Sequence, residues 1–149
     1  MLFQYALNLL ARQRYSVAQM KKKLESKKDS SSEEIGQVIA RLKELKYLDD
    51  EMYAQLFIED HLRRKPQGMQ MLRSSLLKKG ISKDIIVNAF QQKDIDECGT
   101  AEIAIEKKLK TIQSLTPLQQ KEKLYRFLIS RGFSQSTIFK LLSSWRGEE

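Results

Sequence analysis

The side chains able to do covalent or metal chemistry are few and scattered. The 149 residues contain one histidine, His61, and one cysteine, Cys98. A lone cysteine forbids an intramolecular disulfide and removes every multi-cysteine metal site. A lone histidine removes His-rich metal sites and leaves Ser-His or Cys-His catalysis short of parts. His61 falls eight residues after Tyr53, on or beside the buried side of its helix, and Cys98 falls near a helix start; both read as ordinary packing residues. The acidic groupings Asp49-Asp50 and Asp94 with Asp96 invite a metal, but each stands where a helix should begin, and capping accounts for them. Six glycines form no phosphate-cradling loop. The residue types predict no catalysis, no cofactor and no metal.

Positive charge is the chemistry that remains. Twenty-seven basic residues against nineteen acidic give +8, a balance suited to nucleic acid or to an acidic protein surface. The excess is +4 over residues 1–49, +3 over 50–93 and +1 over 94–149. Two runs carry most of it. Arg12, Arg14, Lys21, Lys22, Lys23, Lys27 and Lys28 are interrupted by one acid, Glu25. Arg63, Arg64, Lys65, Arg73, Lys78 and Lys79 lie in a stretch, His61 to Lys79, that has no acid. Arg12, Arg14, Lys21, Lys22 and the six residues of the second run are the candidate contacts to phosphate or to acidic side chains. The alternative is that these are solvated helix faces.

The elements that must position these charges read as helices. Ile35, Val38, Ile39, Leu42 and Leu45 recur at steps of three and four behind Ser30-Ser31-Ser32 and Glu33-Glu34, hydroxyl caps followed by acids in the first turn. Asp49 and Asp50 introduce a helix with Tyr53, Leu56 and Phe57 inward, and Pro66-Gln67-Gly68 breaks the chain. Met69, Leu72 and Leu76 resume a stripe that Gly80 stops; Ser82 caps the next helix, with Ile85, Ile86, Ala89 and Phe90 inside. Ala101, Ile105, Leu109 and Ile112 mark a longer helix. Pro117 suits the first turn of another that buries Leu124, Tyr125 and Leu128; Gly132 ends it, and Ser134 opens a last helix with Ile138, Leu141, Leu142 and Trp145. The aromatic residues, Tyr47 and Tyr125 among them, read mainly as core.

Two of these stretches are copies. Leu76-Leu77-Lys78-Lys79-Gly80-Ile81-Ser82 matches Leu128-Ile129-Ser130-Arg131-Gly132-Phe133-Ser134 at an offset of 52 residues. A degenerate third copy runs from Leu24 through Lys27-Lys28 to Ser31, with one residue inserted and the glycine lost. Repetition at about 50 residues predicts tandem three-helix units, 1–48, 49–93 and 94–149, each too small to bury its face alone. The expected fold is all-α, three helix-turn-helix-like repeats in an elongated, curved array, with residues 76–90 and 128–142 superposable. The two basic runs would then occupy equivalent places and form a stripe along one face. The third helices present Lys83, Asp84, Asn88 and Gln91, then Gln135, Ser136, Lys140 and Ser144, without the arginine cluster that guanine readout requires. Phosphate contact needs only placed charge.

No window approaches the roughly 18 apolar residues of a membrane span, and Met1 to Ala11 lacks the pattern of a secretory signal. The expectation is a cytoplasmic protein with no membrane partner.

The junction Lys46-Tyr47-Leu48-Asp49-Asp50 with Tyr53-Ala54 resembles the bacterial RecX family, regulators of the RecA recombinase. Ala6-Leu7 to Arg14 with Ser16 and Leu24 is similar to that family's opening segment, Lys79-Gly80-Ile81 to its characteristic turn, and Arg126-Phe127-Leu128 with Arg131-Gly132-Phe133 to its last repeat. Asp94-Ile95-Asp96 with Cys98 is closest to short proteobacterial members. Lys46 stands where the family usually has glycine, His61 where it has arginine, and Met69 where proline often follows Gly68. The resemblance implies a monomer that binds RecA filaments on single-stranded DNA along the filament groove, blocking filament growth and lowering ATP hydrolysis, with weak, non-specific DNA binding of its own. A tandem-repeat DNA-binding protein indifferent to RecA, and a metal-dependent nuclease, are the competing classes.

Overall fold

The computed structural model describes residues 1–145 of the chain. Nine helices and no strand occur among them: α1 (Leu2–Leu10), α2 (Val17–Glu25), α3 (Ser32–Glu44), α4 (Asp50–Arg64), α5 (Met69–Lys78), α6 (Lys83–Lys93), α7 (Glu97–Leu109), α8 (Pro117–Ser130) and α9 (Gln135–Leu142). The helix starts follow the expected chemistry. Ser16, Ser31, Asp96, Thr116 and Ser134 each accept a hydrogen bond from the third helical N–H, one of the donors a helix leaves unpaired. Asp49 caps α4 in the same way, accepting from the Met52 N–H at 3.2 Å.

The copied stretches fold alike, bond for bond. At the end of α5 the Ile81 N–H donates to the Leu76 carbonyl, and at the end of α8 the Phe133 N–H donates to that of Leu128, both at 3.1 Å. This six-to-one closure needs a left-handed residue after the helix. Gly80, at φ +84°, and Gly132, at φ +83°, supply it. The degenerate first copy closes differently. Asp29 takes the left-handed conformation in the glycine's place (φ +67°), and the Ser30 hydroxyl donates to the Leu24 carbonyl. Between the repeats, Lys46 and Asp94 turn the chain at φ +65° and +48°.

By contacts the chain forms two compact units, Met1–Phe57 with Leu76–Lys93, and Ile58–Ser75 with Asp94–Glu149. The first and third repeats each fall within one unit; the division passes inside α4 and inside α5. The first unit is built on Ala6, Tyr15, Met20, Leu24, Ile35, Leu42 and Leu48, with Tyr5, Val38 and Ile39 against them. The second is built on Ala101, Ala104, Ile105, Leu109, Ile112, Leu124, Leu128, Phe133, Ile138 and Leu142, with Trp145 against them. Three aromatic residues depart from expectation or from the apolar stripes. Tyr125 lies one position past Leu124, which rotates it to the outside of α8, and it is exposed; Tyr47 and Phe139 are exposed as well.

The same junction is constructed twice, once in each unit. In the first, the Asp50 carboxylate accepts from the Val17 N–H at 2.9 Å, and the Ser16 hydroxyl donates to the Lys79 carbonyl. In the second, Glu97 accepts from the Met69 N–H at 2.8 Å, and the Gly68 N–H donates to the Arg131 carbonyl at 2.8 Å. Asp50 and Glu97 both open the first helix of a repeat, and Val17 and Met69 both open the second helix of the preceding one. A carboxylate at the first turn of each following repeat thus caps a helix of the repeat before it. The turn glycine closes the contact: a Cβ on Gly80 would lie 2.3 Å from Ala18 Cβ, and one on Gly132 would lie 2.4 Å from Met71 Cβ.

Candidate nucleic-acid interface

The predicted contact residues divide between the units. Arg12, Arg14, Lys21, Lys22, Lys78 and Lys79 belong to the first, and Arg63, Arg64, Lys65 and Arg73 to the second. In the first unit, Arg12 and Arg14 occupy the loop between α1 and α2, and Lys21 and Lys22 stand on α2; all four are exposed. Lys78 ends α5, exposed. Lys79 is half-buried, and its carbonyl receives the Ser16 hydroxyl that also caps α2. The junction therefore brings the α5–α6 turn onto the N-terminal end of the helix that carries Lys21 and Lys22.

In the second unit, Arg63 and Arg64 end α4, Lys65 follows, and Arg73 stands on α5, all exposed. The run is less purely cationic than its sequence. Arg63 pairs with Glu59 at 2.9 Å and reaches Asp60 at 3.8 Å, acids that immediately precede the acid-free stretch and lie one turn upstream of Arg63. Of the other lysines in the first run, Lys27 sits over the Tyr5 ring, 3.9 Å from its centroid. The third helices carry their polar residues outward as expected: Lys83, Asp84, Asn88 and Gln91 on α6, and Gln135, Ser136, Lys140 and Ser144 on or after α9, are exposed.

Two features had no part in the sequence reading. One is Glu97, whose carboxylate accepts from the Met69 N–H, the Ser134 N–H (3.1 Å), the Ser134 hydroxyl (2.7 Å) and the Thr137 hydroxyl (2.7 Å). Burial alone would raise its pKa; the hydrogen bonds outweigh burial and hold it below the ordinary value. The other is a cleft of about 290 Å³ in the first unit, lined among others by Arg14, Tyr15, Lys46, Tyr47, Met52 and Tyr53. The Tyr53 phenol is raised above its ordinary pKa chiefly by burial; Arg14 opposes the shift, Asp50 adds to it, and a hydrogen bond with Gln19 opposes it again. The signal available in the sequence was Lys46-Tyr47, an unusual lysine followed by an aromatic residue just outside a helix. No cluster of three His, Cys, Asp or Glu side chains able to hold a metal occurs among the described residues. No helix among them is long and apolar enough to cross a membrane.

Three family models match in tandem, RecX first three-helix domain over residues 3–42, second over 49–89 and third over 95–142. The chain belongs to the RecX family. A protein named "Regulatory protein RecX" from Chlorobaculum tepidum is 39% identical over 97% of this chain and 88% of its own length. One of the same name from Haemophilus influenzae strain PittEE is 26% identical over 98% of this chain and 95% of its own. Among solved structures, RecX from Lactobacillus salivarius has the same fold, with a TM-score of 0.86 at 23% identity, covering 95% of this chain and 92% of that one. The helices fit these matches: each RecX three-helix domain falls on one successive set of three, α1–α3, α4–α6 and α7–α9.

Proposed function

We propose that this chain is a regulator that binds RecA filaments on single-stranded DNA and lowers recombinase activity by blocking filament growth, with no catalysis of its own. Its RecX membership over nearly the whole chain, alongside curated relatives named as regulatory proteins, carries the reading. Two groups of exposed cations support it. A filament of protein and nucleic acid offers phosphates and acidic side chains, and placed positive charge engages both without sequence readout. The outward faces of α6 and α9, polar and poor in arginine, agree with contact that does not read bases. The protein acts as a cytoplasmic monomer, and its contacts are Arg12, Arg14, Lys21, Lys22, Arg63, Arg64, Lys65, Arg73, Lys78 and Lys79.

The test is RecA-catalysed ATP hydrolysis on single-stranded DNA with this protein titrated in. Hydrolysis should fall with added protein, and the inhibition should weaken as salt rises. A flat titration with folded protein sinks the proposal. A labelled single strand incubated with the protein and Mg²⁺ should remain intact; cutting would bring the nuclease reading forward instead.

A further inference from the structure

The copied stretches share exposed residues as well as turns. In 76–90, Leu77 is 41% exposed and Val87 47%; in 128–142, Ile129 is 43% exposed and Phe139 73%. Ile129 follows Leu77, and Phe139 follows Val87, by the same 52 residues that separate the copies. The first pair belongs to the first unit and the second pair to the second. We propose that each pair docks on one copy of a repeated protein surface, an apolar spot in acidic surroundings, as successive protomers of a protein filament present. Taking that filament to be RecA rests on the function proposed above.

Exposed apolar side chains scattered singly are ordinary, but recurrence at two matched positions calls for a cause. Shared exposure by itself follows from the shared fold, because the neighbours Leu76 and Leu128, and Ile86 and Ile138, are buried alike. Exposure of that kind suits polar side chains, which fill the rest of the outward faces of α6 and α9. Between the copies the residues have changed, Leu to Ile and Val to Phe, while the apolar character has stayed. All four lie outside the buried cores, so internal packing does not demand it. The first repeat differs. Counted from the shared leucine, Glu25 stands in place of Leu77; counted from the shared serine, Gly36 stands in place of Val87, and both are exposed. The apolar contact therefore belongs to the second and third repeats, and the first is left to charge.

The side-chain chemistry selects protein over nucleic acid. Three of the four residues are aliphatic and offer a base no ring to stack on, and none can donate to a phosphate. Covering them favourably takes apolar protein surface. Their surroundings are positive. Lys78 follows Leu77, Lys83 lies one turn before Val87, Arg126 one turn before Ile129, and Lys140 follows Phe139, all exposed. Asp84 is the single acid within four residues of any of the four. An apolar centre with a positive rim is complementary to an apolar spot with an acidic rim. A second copy of this chain would set the same positive rim against itself. Recurrence gives the partner its form: two copies of one contact in a chain call for two copies of one partner surface, which a head-to-tail protein filament supplies.

The experiment measures RecA-catalysed ATP hydrolysis on single-stranded DNA with four proteins titrated in: wild type, Leu77→Gln with Val87→Gln, Ile129→Gln with Phe139→Gln, and the fourfold variant. Binding of each to a labelled oligothymidylate without RecA, and sedimentation of each alone, are measured in parallel. Each pair of substitutions should raise the inhibitory concentration roughly tenfold, the scale of one lost apolar side-chain contact. The fourfold variant should raise it roughly a hundredfold, because the pairs make separate contacts. The losses should persist at raised salt, which would shrink a loss of charge. Oligothymidylate binding should stay at the wild-type level. Phe139→Gln alone is tolerated by a fold that leaves this residue 73% exposed, so Phe139→Gln against Phe139→Leu decides even if a double variant melts early. The glutamine should weaken inhibition and the leucine keep it. Undiminished inhibition by the folded variants overturns the proposal and leaves the proposed regulator standing. A parallel loss of oligothymidylate binding overturns it too, since these residues would then lie on nucleic acid. So does a wild-type dimer that the substitutions dissociate, since a second copy would be the occupant. A wild type that fails to lower hydrolysis removes the regulator and this partner together.

Discussion

Removing the Glu97 carboxylate tests the repeated junction directly. Its oxygens accept four hydrogen bonds, from the backbone of Met69 and Ser134 and from the Ser134 and Thr137 hydroxyls. In Glu97→Ala the hydroxyls can rotate to water or to each other, so the loss comes mainly from the two N–H groups. Each bond to a charged group contributes about 1.5–3 kcal/mol, and partial exposure lets water recover some of it. A cost of about 2–3 kcal/mol follows, or a melting point lower by roughly 5–10 °C in a chain of this size. Glu97→Gln keeps the shape and an acceptor oxygen but turns a donor group toward donors, so it should fall between. The acid dependence adds a second readout. The folded-state pKa lies below the ordinary 4.5, so the carboxylate's stabilisation is complete above that value and is lost as pH falls through the folded pKa. The gap between wild type and Glu97→Gln, read by circular dichroism melts, should therefore be full at pH 7 and narrow below about pH 4. A Glu97→Ala protein melting within 1–2 °C of its parent, or a gap that ignores acid, would refute the account.

Glycine substitutions should divide by backbone and space. Gly68→Ala, whose Cβ would lie 2.2 Å from the Gly132 carbonyl carbon, should cost about 3 kcal/mol in denaturant melts, whereas Gly36→Ala, with nothing within 4 Å in α3, should gain about 0.5–1 kcal/mol. Lys46→Gly relieves a left-handed lysine but frees the unfolded chain, so a net gain of about 0.5 kcal/mol in thermal stability is expected. Arg64→Glu with Lys65→Glu should leave the melting point unchanged while weakening RecA inhibition severalfold. Arg63→Glu, which sets three acids within one turn, should in addition lower stability by about 0.5 kcal/mol.

What the sequence revealed depended on how local the cause was. Gly80 and Gly132 were legible because the same left-handed closure selected the same residue at a fixed spacing. Asp29 does that work in the first repeat, and one inserted residue was enough to conceal it. Leu124 and Leu128 were placed inside from their four-residue step, but Tyr125 was carried inward with them although a helix turns about 100° per residue. The positive runs were plain, whereas the pairing of Arg63 with acids just before its run was not visible from the run alone. Glu97 looked like any acid in a first turn; its partners are 28, 37 and 40 residues away, and no local pattern announces them. The cleft stayed hidden for a similar reason, since α1, α4 and the Lys46 turn meet only in three dimensions.

The borrowed cap on α5 bears on how the chain matures as it is made. The helix α2 carries its own reciprocal cap from Ser16 and Gln19, so its start is partly satisfied as soon as it leaves the ribosome, and only its first N–H waits for Asp50. The helix α5 begins after Gly68, which has no side chain to offer, and the carboxylate that receives its first N–H is translated 28 residues later. Until Glu97 emerges, the start of α5 is open to water and to fraying. A nascent chain released before the third repeat should accordingly keep an ordered first repeat and an unsettled second. Protease sensitivity of stalled chains should drop at the length that frees Glu97 from the exit tunnel. The vectorial order of synthesis, and not the ranking of the cores, would then decide when the middle of this protein becomes resistant.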